Sequence, residues 1–163
     1  MKSENLSLSE FMASRKKQKF ATGKGREIHS KMRGIVIDSG AETGNRELIE
    51  KIKSNPALPR FFASGARAEV PIAGMINGKF VSRRIDRLVV SESEKSIVIL
   101  DYKTDSNKEI FRAKYTSQMS EYLALLGDAY PGYSIRGFIL WLNDFTMEEI
   151  DNHQFAESGT AVH

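Results

Sequence analysis

The chain has 163 residues, of which 40% are hydrophobic and 28% are charged, as expected for one soluble globular domain. Cysteine is absent, which excludes disulfide bonds, a thiol nucleophile, cysteine-ligated zinc and iron–sulfur clusters. No apolar run approaches the ~20 residues of a membrane span, and residues 1–10 lack the apolar core of a signal peptide. We therefore expect a cytoplasmic protein that does not contact a membrane.

The net charge of +3 conceals an uneven distribution. Residues 1–67 carry 14 Lys or Arg against 7 Asp or Glu, whereas residues 68–163 carry 10 against 14. A basic half suits a phosphate backbone, and clustered carboxylates suit cations. Because cysteine is absent, any metal must be held by carboxylates, histidine or backbone carbonyls, which favours Mg²⁺ or Mn²⁺. The imbalance alone does not identify a nucleic-acid-binding protein.

The N-terminal part of the sequence has a helical pattern. Apolar residues from Gly25 to Ile37 recur at helical spacing, and Ser39-Gly40 is expected to end that helix. A second helix is predicted from Arg46 to Ser54. The predicted division of the chain is an arm at 1–23, one domain at 24–152 and a disordered tail at 153–163.

Beyond residue 67 the pattern becomes strand-like. Asn77-Gly78 is a hairpin signal, and Ile97 to Leu100 form an unbroken apolar run typical of a central strand. A further helix is predicted from Tyr115 to Gly127. The expected strands are Ala68–Ile72, Phe80–Val90, Ile97–Leu100, Ile135–Leu142 and Phe145–Ile150. This order predicts an α/β fold with a mixed central β-sheet flanked by helices.

The segment Asp101-Tyr102-Lys103 closes the most hydrophobic predicted strand. Since residues i and i+2 of a strand point to the same face, Asp101 and Lys103 should project side by side and Tyr102 to the opposite face. The carboxylate can hold a metal ion, while the lysine can orient or deprotonate water or neutralise charge on phosphorus. Asp-X-Lys also occurs by chance, so this motif alone does not identify a hydrolytic site.

A second carboxylate, Asp86, precedes Asp101 by fifteen residues. Two antiparallel strands joined by the turn at Ser91 to Ser96 would bring these two residues close together. Two carboxylates on neighbouring strands favour a metal site more than either does alone. The alternative is that Asp86, which stands between Arg84 and Arg87, is only a salt-bridged strand residue.

Four segments, in this order, resemble the successive motifs of the RecB-like nucleases, a group within the PD-(D/E)XK superfamily. Those nucleases have a G-x-x-(I/V/L)-H helix, a G-x-(I/V)-D-R-(L/I) strand, a D-(Y/F)-K-T strand and a Q-x-x-x-Y helix. The matching residues are Gly25-Arg26-Glu27-Ile28-His29, Arg84-Ile85-Asp86-Arg87-Leu88, Asp101-Tyr102-Lys103-Thr104, and Gln118 with Tyr122. The resemblance spans about residues 24 to 150, and Arg84 departs from it by standing where the family has glycine.

The resemblance implies a metal site and a catalytic lysine. The implied metal ligands are His29, Asp86, Asp101 and the backbone carbonyl of Tyr102 or Leu100, with Glu69 as a further acidic candidate. Lys103 would be the catalytic lysine, and Gln118 and Tyr122, one helical turn apart, would support the site or contact DNA. On their residue types alone, His29 is more often a packed or surface histidine, Glu69 an exposed strand residue and Tyr122 a core residue.

The layout most resembles the C-terminal nuclease domain of AddA-type helicase–nucleases, on the segments Tyr130-Pro131-Gly132 and Ile139-Leu140-Trp141. This resemblance implies a Mg²⁺- or Mn²⁺-dependent DNA exonuclease of double-strand break repair and recombination, without an iron–sulfur cluster. It also implies an AddB-type partner subunit and a helicase motor in the same or a separate chain. This sequence has no G-x-x-x-x-G-K-(S/T) loop, so ATP-driven unwinding would come from another polypeptide or from a missing N-terminal part. Two alternatives remain: a DNA-binding module of the same fold with little or no cleavage, and an unrelated α/β interaction domain with an ion-pair cluster.

Overall fold

The computed structural model of the protein describes residues 23–38 and 40–151. The predicted arm, apart from residue 23, and the predicted disordered tail lie outside the described residues. The helices are α1 (23–33), α2 (Arg46–Lys53) and α3 (Lys108–Ala129), with a 3-10 turn at Pro59–Phe61. The strands are β1 (Val36–Asp38), β2 (Ala41–Thr43), β3 (Arg67–Ile76), β4 (Lys79–Ser91), β5 (Ser96–Lys103), β6 (Ser134–Trp141) and β7 (Thr146–Ile150).

Five strands form one mixed sheet in the order β3-β4-β5-β6-β7, and β1 and β2 form a separate two-stranded hairpin. Neighbouring strands of the large sheet are antiparallel except for β5 and β6, which are parallel and are connected by α3. A parallel pair needs such a crossover, because the chain must return to the edge from which it started. The predicted fold class, a mixed central sheet flanked by helices, is confirmed.

The large sheet separates two hydrophobic cores. On one side, here called the α1 face, the sheet packs against residues of α1, α2 and the 3-10 turn. On the other side, the α3 face, it packs against α3. Strand β5 contributes to both: Leu100 and Tyr102 belong to the core on the α1 face, whereas Ile97 and Ile99 belong to the core on the α3 face. This double burial explains the unbroken apolar run in the sequence.

The pairing of β3 with β4 is irregular at one point. The register passes from Ala68–Arg87 to Val70–Ile85, and Glu69, between them, has a φ of 55°. That left-handed conformation is uncommon outside glycine. As a result Ile85 and Arg87, two residues apart, point into opposite cores: Ile85 packs on the α3 face, and Arg87 contacts Phe62 on the α1 face. The irregularity lies where Asp86 must turn toward the end of β5.

Two predicted helix boundaries were wrong. Helix α1 ends at residue 33 rather than continuing to Ile37, because Ile35 is buried outside the helix and the β-branched Val36 and Ile37 enter the hairpin β1–β2. Gly44 allows this arrangement: it has a φ of 123°, and a Cβ there would lie 2.9 Å from Cγ1 of Ile35.

Helix α3 begins at Lys108, seven residues before the predicted start at Tyr115. The side chain of Asn107 caps it by accepting a hydrogen bond from the backbone N–H of Ile110 at 3.3 Å. The other predicted elements lie within a few residues of their observed bounds, whereas β1, β2 and the 3-10 turn were not predicted. At the predicted hairpin turn, Asn77 and Gly78 both have positive φ, as the two-residue turn requires.

Candidate active site

Asp101 and Lys103 lie side by side at the end of β5, as predicted from the strand alternation. Lys103 Nζ is 2.5 Å from Asp101 Oδ2, and both side chains face α3, while the Tyr102 ring packs in the core on the α1 face. The main chain of β5 is held on one side by β6 up to the pair Lys103–Trp141. The rigid end of the central strand therefore fixes the position of both functional groups.

Lys103 is surrounded by groups that hold its amine in one place. Nζ donates a hydrogen bond to Gln118 Oε1 at 2.8 Å and lies 4.2 Å from the centroid of the Tyr115 ring. Gln118 Nε2 in turn donates to the hydroxyl of Tyr122 at 2.9 Å, and that hydroxyl donates to the backbone carbonyl of Arg84 at 3.3 Å. This chain links α3 and β4 to the lysine, and it shows Tyr122 to be both a core residue and part of the hydrogen-bond network around the site.

Asp86 lies in the gap where β4 separates from β5. Its Oδ2 accepts a hydrogen bond from the backbone N–H of Tyr102 at 2.7 Å, and its Oδ1 is 3.8 Å from His29 Nδ1. Burial, and then the nearby charge of Asp101, raise the pKa of Asp86 to about 7. The salt-bridge alternative is not what the structure shows, because Arg84 pairs with Glu69 at 3.2 Å and Arg87 points to the α1 face.

His29 projects from α1 toward the ends of β4 and β5. Its ring meets the Tyr102 ring edge-on, with 5.5 Å between centroids. Burial lowers the pKa of His29, and Lys103 lowers it further, while the charges of Asp101 and Glu69 oppose the shift. The imidazole is therefore favoured in its neutral form near neutral pH, which is the form that ligates metals.

Glu69 borders the same cluster. Its side chain is 26% exposed and pairs with Arg84. Its charge opposes the lowering of the pKa of His29 and adds to the raising of the pKa of Asp86. Glu69 has a φ of 55°, and its carboxylate lies near enough to the cluster to act on the charges of both His29 and Asp86. Arg84, the departure from the family pattern, thus neutralises an acidic neighbour of the site, and its backbone carbonyl still accepts the Tyr122 hydroxyl.

Arg87 has a structural role that the sequence did not reveal, since it was considered only as a salt-bridge partner for Asp86 and as one position of a matching motif. It is 3% exposed. Its Nε donates to the Tyr102 hydroxyl at 3.0 Å, and its Nη2 donates to the carbonyls of Met32, Arg33 and Ile35 at 2.6, 3.0 and 3.1 Å. These carbonyls lie at and just beyond the C-terminus of α1, where helices lack internal partners. Strand alternation with Val89 was the available signal that Arg87 points into a core.

An open groove of about 1410 Å³ runs along the cluster. Its walls are α1, the start of α2, the loop after β5 and the first half of α3, and His29 and Glu69 lie in its lining. Basic residues exceed acidic ones among the lining residues. The basic ones are Lys24, Arg26, Lys31, Arg33, Lys51, Arg84 and Lys114, and the acidic ones are Glu27, Glu47, Glu69 and Asp105. The groove is therefore net positive while the adjoining cluster is acidic.

Comparison with known proteins gives one family. The model of the PD-(D/E)XK nuclease superfamily matches residues 4–160, nearly the whole chain. The chain belongs to the PD-(D/E)XK nuclease superfamily. The order of Asp86 followed by Asp101-Tyr102-Lys103 agrees with the pattern in the name of the superfamily. No curated protein sequence matches the chain.

Two solved structures align with the chain. A candidate exonuclease from Eubacterium rectale is 13% identical, with a TM-score of 0.49, over 96% of this chain and 64% of that one. The protein SSO0001 is 20% identical, with a TM-score of 0.39, over 64% of this chain and 46% of that one. The chain thus spans less than two thirds of the length of either. No helix among residues 23–38 and 40–151 is long and apolar enough to cross a membrane.

PD-(D/E)XK nucleases generally use divalent metal ions. His29, Asp86 and Asp101 supply a neutral imidazole and two carboxylates, which suit such ions, and the unfavourable negative charge on buried Asp86 is one that a cation would offset. In the described part of the chain no three His, Asp or Glu side chains already stand in ligating geometry. Asp101 forms an ion pair with Lys103, and Asp86 accepts a hydrogen bond from the Tyr102 amide. The donor set fits a divalent ion chemically, and ligation requires these carboxylates to turn.

Proposed function

We propose that this PD-(D/E)XK nuclease is a Mg²⁺- or Mn²⁺-dependent DNA exonuclease. The observation that carries the proposal is the cluster of Asp86, Asp101 and Lys103 at the end of the central strands, beside a net positive groove. His29, Asp86 and Asp101 would hold the ion, with the Tyr102 carbonyl and Glu69 as further candidates. When bound, such an ion polarises the phosphate and lowers the pKa of a nearby water molecule.

The protein's own groups orient the substrate and stabilise its charge. Lys103 would donate a hydrogen bond to a phosphate oxygen and so stabilise the charge that develops in the transition state. Gln118 and Tyr122 would act through Lys103, because their hydrogen bonds fix its amine relative to Asp101. Water attacking in line would leave a 5′-phosphate and a 3′-hydroxyl. Basic residues along the groove would bind neighbouring phosphates.

The wider setting is part of the same proposal. The motifs that resemble AddA-type helicase–nucleases support a role in double-strand break repair and recombination, with a helicase motor and an AddB-type subunit as partners. Separated from a motor, the protein should cleave weakly and release DNA after few cuts.

The test is cleavage of linear single- and double-stranded DNA with Mg²⁺ or Mn²⁺ by the full chain and by Lys103→Ala and Asp101→Ala. Matched controls are Lys108→Ala and Asp144→Ala. These two residues form an ion pair with each other, with 2.6 Å between Lys108 Nζ and Asp144 Oδ2, and neither lines the groove. We expect the first two variants to lose at least about 100-fold in rate and the controls to keep it. Cleavage that survives in Lys103→Ala and Asp101→Ala would contradict the proposed site.

Metal binding distinguishes the remaining alternatives. In the nuclease, Mn²⁺ should raise the melting temperature of the wild type and should fail to do so in Asp86→Asn, which removes a proposed ligand. A protein that binds Mn²⁺ and DNA without cutting would be a DNA-binding module of the same fold. A protein whose melting temperature does not change when Mn²⁺ is added would have only an ion-pair cluster at this position.

A further inference from the structure

An aromatic pair forms part of the groove wall directly beside Lys103. Phe111 and Tyr115, one turn apart on α3, are stacked with 5.8 Å between ring centroids and 22° between ring planes. The Tyr115 ring lies next to Lys103 Nζ, and its hydroxyl donates to Asp105. A continuous line of side chains therefore leads from the proposed catalytic lysine through Tyr115 to Phe111.

Phe111 differs from Tyr115 in its exposure. Tyr115 is buried, with 8% of its surface exposed, whereas Phe111 is only partly buried and lines the groove. The Phe111 ring is restrained on two sides, because it stacks on Tyr115 and packs against the core on the α3 face, and Asp105 in turn accepts a hydrogen bond from Tyr115. A fixed, partly exposed aromatic ring on a groove wall is suited to stacking against another flat ring.

A cation accompanies this ring. Lys114 is exposed, lines the same groove and has its Nζ 5.9 Å from the centroid of Tyr115. Proteins that bind single-stranded nucleic acid combine these two features, aromatic rings for the bases and basic side chains for the phosphates. In a duplex each base is stacked on its neighbours, except at an end. A protein ring on the groove wall therefore finds no free base to stack on along the interior of a duplex.

We propose that the groove accepts DNA as a single strand, with a base stacked on Phe111 and a neighbouring phosphate on Lys114. The inference rests on the proposed nuclease function and deepens it by naming the form of the substrate. Phe111 thus determines specificity: it retains the strand whose adjoining phosphate reaches Lys103, and it favours single strands and frayed or unwound ends over internal duplex.

The test is a binding cycle in EDTA, where no cleavage occurs, measured by fluorescence anisotropy on the full chain. The ligands are a 16-nucleotide single strand, the same length of backbone lacking its bases, and a closed-ended duplex. Phe111→Leu, which keeps an apolar side chain but removes the ring, should bind the single strand about 5- to 100-fold more weakly. It should bind the base-free strand and the duplex as the wild type does, because neither offers a free base.

Two variants complete the cycle. Phe111→Trp should restore binding to the single strand, which shows that a ring, rather than a particular packing, is needed. Lys114→Gln should weaken binding to the normal and base-free strands equally and should reduce the salt dependence by about 0.7 in the slope of log K against log salt. Matched controls are Phe80→Leu and Lys79→Gln at the exposed tip of the β3–β4 hairpin, and neither should change binding.

Several results would overturn the inference: equal binding of the single strand by Phe111→Leu and the wild type, an equal loss on the base-free strand, or an equal loss in Phe80→Leu.

Failure of the nuclease proposal would give a different set of results. A protein that cuts no DNA with Mg²⁺ or Mn²⁺ yet shows the Phe111 effect is not a nuclease but does bind a single strand here. A protein that cuts DNA but shows no Phe111 effect is a nuclease with another strand path.

Discussion

The surroundings of Asp86 disfavour the ionised form of its carboxyl group. The carboxylate is mostly buried and lies close to the charge of Asp101, and these two effects raise its pKa to about 7 despite the hydrogen bond from the Tyr102 amide. In the unfolded chain the same carboxyl group has its ordinary pKa near 4. Between these values the folded state binds a proton that the unfolded state releases, so the contribution of Asp86 to stability falls as pH rises through this window.

We therefore predict that Asp86→Asn stabilises the protein in the absence of metal. Asparagine keeps an oxygen for the Tyr102 amide but carries no charge, so the gain should be largest at pH 8 and should shrink as pH falls from 7 toward 4. A gain of at least about 3 °C in melting temperature at pH 8 is expected, since 1 kcal/mol corresponds to about 2–4 °C in a domain of this size. Thermal melts in EDTA at pH 5 and pH 8 measure it.

Asp144 provides the control, because its surroundings favour its charge. Hydrogen bonds from Lys108 and Thr146 lower the pKa of Asp144 to about 2, so its ionised form contributes stability that is present at neutral pH and is lost in acid. Asp144→Asn should therefore give no gain at pH 8. If Asp86→Asn changed the melting temperature equally at pH 5 and pH 8, charge burial at Asp86 would not be the cause.

Residue chemistry in the site was largely predictable, but residue contacts were not. The alternation of β5 placed Asp101 beside Lys103, and the symmetry of the β4–β5 turn placed Asp86 near Asp101. The supporting contacts were beyond that reasoning, since the ring of Tyr115 beneath Lys103 depends on how α3 crosses the sheet. The part of α3 that contains Phe111 was not even predicted to be helical, so its stacking on Tyr115 had no sequence signal.

At the scale of elements, Arg87 joins the helix that carries His29 to the strands that carry the carboxylates. One guanidinium donates to three carbonyls at the end of α1 and to the Tyr102 hydroxyl, and it also lies 4.6 Å from the centroid of Phe62. Lysine could not reproduce this, because only arginine presents several donors in a planar fork. Arg87 thus holds α1 over the site together with the core packing of Met32 and Ile28.

We predict that Arg87→Met loosens α1 before it disturbs the rest of the fold. Methionine fills part of the space but leaves buried carbonyls without a donor, which should cost about 3 kcal/mol in free energy of unfolding. Hydrogen exchange measured by mass spectrometry should rise in residues 23–33 and remain slow in α3. The exchange rate of residues 23–33 in Arg87→Lys should lie between the rates in Arg87→Met and in the wild type.

The matched control is Arg136→Met, because Arg136 forms an exposed pair with Glu149 at 2.7 Å and such pairs contribute about 0–1 kcal/mol. Uniform acceleration of exchange across the whole sheet in Arg87→Met would show that Arg87 stabilises the fold globally rather than docking α1.

The predicted end of α1 was wrong because of tertiary contacts in the same region. Helical spacing continued to Ile37, but burial of Ile35 and pairing of β1 with β2 end the helix earlier.

At the scale of the whole molecule, charge is divided between a basic and an acidic half. The acidic half contains Asp86 and Asp101, while the basic half supplies α1 and much of the groove wall. Four basic residues also lie close together in the sequence before α1, at Arg15, Lys16, Lys17 and Lys19. Long-range attraction to a polyanion depends on such charges, whereas the chemical step depends on the cluster at the end of β5. The two contributions should therefore be separable.

We predict that replacing Arg15, Lys16, Lys17 and Lys19 together by glutamine weakens DNA binding without slowing cleavage at saturating DNA. If each residue neutralises one phosphate of a single strand, the slope of log K against log salt should fall by about 3. Affinity measured by anisotropy from 50 to 300 mM salt tests the slope, and single-turnover cleavage tests the rate. Arg136→Gln, which removes one ion-paired charge, should leave both unchanged. A fall in the single-turnover rate together with an unchanged slope would mean that the basic run acts on the site rather than through long-range attraction.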